Sequence, residues 1–132
     1  MIDHLGFYTS HDLSERCSFY EAVLRPLGVR LLWRGVEADG TGRVVFGSEP
    51  RSPFLVIAKG KPEHWRPDQM PGASGIHLAF KAPSKAAVDE FHAIGLKYGA
   101  LSNGSPGMRD RGWYAAFLVD EDRNGIEAGI YL

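Results

Sequence analysis

One short pattern occurs twice in this chain, and it limits the fold more than any other feature. Near the start the sequence reads Ile2-Asp3-His4-Leu5-Gly6-Phe7, and later Gly75-Ile76-His77-Leu78-Ala79-Phe80. Both are alternating stretches, which put His and the small residue on one side of a strand and Leu and Phe on the other. Each copy is followed by a polar break and then an amphipathic helix. A shift of 73 residues superposes His4 on His77 and Phe7 on Phe80, and a shift of 72 superposes Phe19 on Phe91. A slip in the intervening loop absorbs the difference. Two copies suggest a pseudo-twofold domain rather than a solenoid.

The elements follow the repeat. Residues 2–9 read as a strand with His4 in it. Asp12 offers a helix N-cap, and Glu15 three residues on completes a capping box. Leu13, Cys17, Tyr20, Leu24 and Leu27 recur at helical spacing. Pro26 stops regular helix about one residue earlier, and Gly28 marks its end. Residues 29–34 and 43–47 read as a hairpin about the turn Asp39-Gly40-Thr41-Gly42. Residues 54–58 form a short apolar run, read as a buried strand. Residues 60–74 carry Pro62, Pro67 and Pro71 without periodicity, as a linker or a loop over a site. His64 and Trp65 lie in that stretch.

The second half repeats the order. Residues 75–82 are a strand with His77, and Ser84 caps a helix to about Tyr98 with Ala87, Phe91, Ile94 and Tyr98 inward. Residues 101–112 read as irregular, because Asn103-Gly104 and Pro106-Gly107 force turns. Residues 113–119 and 126–132 are strands about a turn at 120–125. The fold class is therefore α+β. It is expected to be two βαβββ modules in pseudo-twofold arrangement, with curled mixed sheets around a metal cleft. The expected boundaries are module one at 1–60, a linker at 61–73 and module two at 74–132, within one domain.

Composition narrows the function. The 132 residues suit one compact domain, and 44% apolar content makes it globular. A formal net charge of −1 without a polybasic stripe makes nucleic acid and acidic membranes poor partners. No apolar run is long enough to span a bilayer, and no leader is expected before the first strand. The single cysteine, Cys17, precludes an intrachain disulfide and suits a reducing cytoplasm. The glycine-rich segments match no nucleotide-binding fingerprint.

The chemistry concentrates at three positions. His4 and His77 open equivalent strands, and Glu127 sits among apolar residues in the last strand. An unpaired carboxylate buried there is expensive. If the halves pair about a pseudo-twofold axis, two imidazoles and a carboxylate converge, the ligand set of an open divalent-metal site. The duplication predicts a fourth position. Shifting Glu127 back by 72 residues lands on Leu55, to within about one residue, in a strand without carboxylate, amide or His. Open positions would remain for substrate oxygens.

Simpler readings stand beside this one. A single histidine in a strand is more often structural than a ligand, and Glu127 could instead pair with Arg109 or Arg111. His11, His64 and His92 read as ordinary surface or packing residues, and Cys17 as packing. Residues 103–109 are a stiffened loop in which Asn103 and Arg109 could contact substrate. Tyr114 could reach the cleft as a donor or acid, or simply pack.

At these residues the chain resembles the vicinal oxygen chelate superfamily, which includes glyoxalase I, bleomycin-resistance proteins, fosfomycin-resistance thiol transferases and extradiol dioxygenases. The resemblance rests on the two His-bearing strands and on Ser18-Phe19-Tyr20-Glu21 before Leu27-Gly28. It rests also on Asp120-Glu121-Asp122-Arg123-Asn124-Gly125-Ile126-Glu127, which is similar to the family's Asp-Pro-Asp-Gly-Asn-x-Ile-Glu ending. It implies one divalent metal (Zn, Ni, Mn or Fe) held by His4, His77 and Glu127, chelating adjacent oxygens of a small substrate. Lyase or isomerase chemistry, or dioxygenase chemistry, would follow. In an isomerase-type reaction Glu127 would also move a proton, so Glu127 and Tyr114 are the implied catalytic residues. Arg109, Asn103, Leu55 and Trp65 are the implied substrate contacts. The family's fourth acid or amide falls on the apolar Leu55 region, a departure from glyoxalase I. A homodimer is expected, with the cleft formed within one chain or across a swapped pair. The alternative is a protein of the bleomycin-resistance type that sequesters a drug or other small molecule without catalysis.

Overall fold

Each copy of the repeat builds a strand, a helix and three further strands in the computed structural model, which describes residues 2–48, 52–60 and 76–132. Module one comprises β1 (Leu5–Tyr8), α1 (Leu13–Leu24), β2 (Arg30–Val36), β3 (Gly42–Gly47) and β4 (Pro53–Lys59). Module two comprises β5 (His77–Lys81), α2 (Lys85–Lys97), β6 (Leu101–Met108), β7 (Trp113–Val119) and β8 (Gly125–Tyr131). The sheets have matching orders, β1-β4-β3-β2 and β5-β8-β7-β6. In each, the first strand lies parallel to the last and the other pairs are antiparallel. A parallel pair needs a long crossover, and here the crossover contains the module's helix and hairpin.

The helix ends obey the sequence. Asp12 accepts the Glu15 N–H at 2.8 Å, and the Ser84 hydroxyl accepts the Ala87 N–H at 3.1 Å. Each satisfies one of the N–H groups that a helix start leaves open. Pro26 falls in a 3-10 turn, Arg25–Leu27, and Gly28 closes it in the left-handed region at φ 79°.

The two helices pack against each other and each against its own sheet. Leu13, Tyr20 and Leu24 of α1 and Val88 and Phe91 of α2 are buried in one cluster with Val44, Phe46, Leu55, Ile57, Leu118 and Ile126. The core is thus continuous across both modules. The close seat of α2 on β7 depends on Gly95, where a Cβ would stand 2.2 Å from Leu118 Cδ1.

Two expectations are corrected. Residues 101–108 are not irregular but form β6, with register shifts at Ser102/Gly104 and Gly104/Gly107. β6 is an edge strand, where Pro106 needs no ladder partner on its outer side and bulges are tolerated. His4 lies just before β1 rather than inside a strand. The expected linker at 61–73, with Trp65 and His64, lies outside the described residues.

Candidate functional site

The second sheet turns one face to the helices and the other away. Along β5, Leu78 and Phe80 pack on the core, whereas His77, Ala79 and Lys81 are exposed. Parallel pairing sets His77 opposite Gly125 and Ala79 opposite Glu127. The strand period of two therefore carries His77 and Glu127 to the same outer face. There His77 Nε2 lies 2.9 Å from Glu127 Oε2. The imidazole is open to solvent, but Glu127 is only 7% exposed. A buried carboxylate requires partners, and the second comes from β7, where Trp113 Nε1–H donates to Glu127 Oε1 at 2.6 Å.

An aromatic and cationic surround completes this face. The Tyr131 ring stands 4.6 Å from that of Trp113, and the Phe117 ring lies 6.5 Å from that of His77. The Arg109 guanidinium sits 5.2 Å above Phe117 and donates through Nη2 to the Ser105 and Ala115 carbonyls at 2.6 and 3.3 Å. Stacking with two carbonyl bonds fixes that cation in place.

The first sheet does not mirror this arrangement. His4 is solvent-exposed, with Nδ1 2.6 Å from Asp3 Oδ1. Among the described residues, no group of three or more His, Cys, Asp or Glu side chains is placed to hold a metal ion. His77 and Glu127 are brought together, and His4 is not with them. The register also corrects the fourth position. Leu5 pairs with Leu55, so His4 stands level with Phe54, and the position matching Glu127 is Val56. Leu55 itself faces the other way and is buried in the core.

Tyr114 is also on the helix side. Its hydroxyl donates to Asp89 of α2 at 2.7 Å, and Lys85 Nζ lies 4.5 Å from its ring centroid. Alternation along β7 puts Trp113, not Tyr114, on the outer face. Asn103 is exposed on the edge strand β6. Cys17 is fully buried, and burial pushes its thiol up, which suits packing.

Two features were not legible as sites in the sequence. Trp113 read only as the start of a strand. Its signal was Gly129 inside the last strand, since a strand glycine often marks a close approach. The second is the acidic turn between β7 and β8, which grips module one. Asp122 accepts from Thr9 Oγ1 at 2.6 Å and meets His11 Nδ1 at 2.6 Å. Asp120 accepts from the Tyr20 hydroxyl and, within the turn, from the Asn124 N–H at 2.7 Å. Glu121 pairs with Arg16 at 2.7 Å.

A cavity of about 560 Å³ lies elsewhere, against α1, with Arg16, Arg34, Glu15 and Glu121 in its wall. Two cations offset two carboxylates there, with Arg16 already bound to Glu121 and Arg34 to the Ser14 hydroxyl.

The architecture and site can be set beside known proteins. A glyoxalase/bleomycin resistance protein from Albidiferax ferrireducens T118 shares 30% sequence identity, with 98% of each chain covered and a TM-score of 0.69. The chain belongs to the glyoxalase/bleomycin resistance protein family. That family lies within the vicinal oxygen chelate superfamily. More distant solved structures share the fold. A family domain from Frankia sp. EAN1pec is 20% identical over 100% of this chain and 98% of its own, with a TM-score of 0.69. An integron cassette protein from the mobile metagenome of V. Cholerae is 19% identical over 100% and 95%, with a TM-score of 0.66. No family model and no curated protein matches the chain. Among the described residues, no helix is long and apolar enough to cross a membrane.

Proposed function

We propose that this glyoxalase/bleomycin resistance family member is a metalloenzyme acting on a small oxygenated molecule. Its divalent ion would be held by His77 and Glu127 of one chain and His4 of a second copy. The observation that carries this reading is the His77–Glu127 pair on an open sheet face, with one imidazole nitrogen and one carboxylate oxygen 2.9 Å apart. Both atoms are metal-donor types, and they fit two ligand positions of an ion. The third position has no donor from the same chain among the described residues, whereas His4 is exposed and occupies the equivalent place in module one. When bound, such an ion supplies Lewis acidity to adjacent substrate oxygens, for lyase, isomerase or dioxygenase-type chemistry.

The chain's own residues divide the remaining work. Arg109, fixed over Phe117, would orient an anionic group of the substrate. In an isomerase-type reaction the Glu127 oxygen nearer His77 would carry the proton. The rings of half-buried Trp113 and exposed Tyr131 would exclude water from one side. They also favour the alternative, a metal-free protein that sequesters a planar small molecule. The lone buried cysteine supports a cytoplasmic location.

Mixing variants tests the dimeric site. His4→Ala chains and Glu127→Ala chains should each bind little Zn²⁺ or Ni²⁺. Unfolded and refolded together, they should recover one intact site per mixed dimer, about a quarter of wild-type capacity after random pairing. No recovery would sink the shared site. Absence of any divalent ion from wild type, even after soaking at neutral pH, would leave sequestration as the better reading.

A further inference from the structure

The geometry points to Trp113 as the positioning residue for Glu127, selecting which carboxylate oxygen faces His77. The inference rests on the reading of His77 and Glu127 as ligands.

A carboxylate offers two oxygens, and a free one would present either or both. Here Oε1 accepts from Trp113 Nε1–H at 2.6 Å, and Oε2 is turned to His77 Nε2 at 2.9 Å. An indole nitrogen donates and cannot accept. Trp113 therefore holds Oε1 without competing as a ligand and leaves Oε2 as the oxygen turned to His77 and to an ion beside it. Outer partners of this kind fix ligand orientation and commonly contribute about 10–100-fold in metal affinity.

The sheet shows how the indole is held. Trp113 is paired across the ladder with Tyr131, four positions beyond Glu127. To reach the carboxylate, the ring must lie along β8 over Gly129. A Cβ at Gly129 would stand 2.1 Å from Trp113 Cζ2. Only glycine leaves that path open, and Tyr131 buttresses the ring at 4.6 Å. Trp113, Gly129 and Tyr131 thus form one device that aims Glu127.

The test uses full-length protein and two readouts. Trp113→Phe keeps the ring stacking but removes the N–H, and Gly129→Ala keeps the indole but displaces it. Each should weaken Zn²⁺ binding about 10–100-fold in chelator competition, with the circular dichroism spectrum and oligomeric state of Trp113→Phe unchanged. Wild-type affinity in Trp113→Phe overturns the inference and leaves the functional reading intact. The second readout needs no metal. The indole N–H proton of Trp113 should resonate well downfield in the apo-protein and move upfield in Glu127→Ala. An unmoved resonance overturns the positioning role. If wild type binds no Zn²⁺ while the resonance does move, the functional reading fails and the indole–carboxylate geometry survives it.

Discussion

Tyr20 is fully buried, and its hydroxyl donates to a carboxylate that is itself buried. Burial, and then the charge of Asp120, hold the phenol well above its ordinary value, so it stays a donor. Tyr20→Phe removes one donor to Asp120 and leaves the Asn124 backbone N–H and side-chain amide. The loss should cost about 1–3 kcal/mol, read as a lower denaturant midpoint at unchanged m-value. His92 gives the opposite kind of signal. It is buried against Ser102 Oγ at 2.8 Å, and burial pulls its value below that of a free imidazole. The folded state refuses a proton that the unfolded chain accepts. Stability from this residue is therefore present above about pH 6.5 and falls as the pH drops below it. Thermal melts between about pH 5 and 7.5 should show a shallower acid-side decline in His92→Gln than in wild type. Of these two residues the sequence showed only that Tyr20 faced inward. A hydroxyl's partner 100 positions away leaves no periodic trace.

At the scale of elements, local signals were enough wherever a local cause decides. Asp12 and Ser84 start helices, Gly28 and Gly99 end them, and Trp113–Val119 forms the strand expected of it. β6 was misread because its glycines and proline signal turns locally, while pairing with β7 overrides them. The matching of Glu127 to Leu55 failed for a related reason. A strand's faces alternate each residue, so a slip of one exchanged outward Val56 for inward Leu55. The His77–Glu127 pairing was legible because the repeat singles out His77 and a carboxylate among apolar residues singles out Glu127. The Trp113 contact was not, because it depends on what Gly129 lacks. Gly95 allows a second prediction about elements. Alanine there gains about 1 kcal/mol of helix propensity, but its Cβ meets the fully buried Leu118, and overpacking costs about 1–3 kcal/mol. Gly95→Ala should melt at or below the wild-type temperature, and trimming Leu118 to Val should reverse the deficit.

Across the whole molecule, the two modules share one core and are joined again by the acidic turn. A continuous core should unfold as a unit, so near- and far-ultraviolet dichroism should report coincident transitions. If the functional site spans two copies, the midpoint should also rise with protein concentration. Sedimentation at graded concentration checks the same assembly independently. The duplication that made the fold legible concealed how its halves are fastened, because the fastening is not duplicated. Beside the shared core, this polar grip runs from Asp120, Glu121 and Asp122 into module one. This has a consequence in time. The grip joins residues 100, 111 and 113 positions apart. At about 5–20 residues per second, a ribosome needs about 5–20 seconds to travel from Thr9 to Asp122. Throughout that interval the Tyr20 hydroxyl and the Arg16 guanidinium are without their carboxylate partners Asp120 and Glu121.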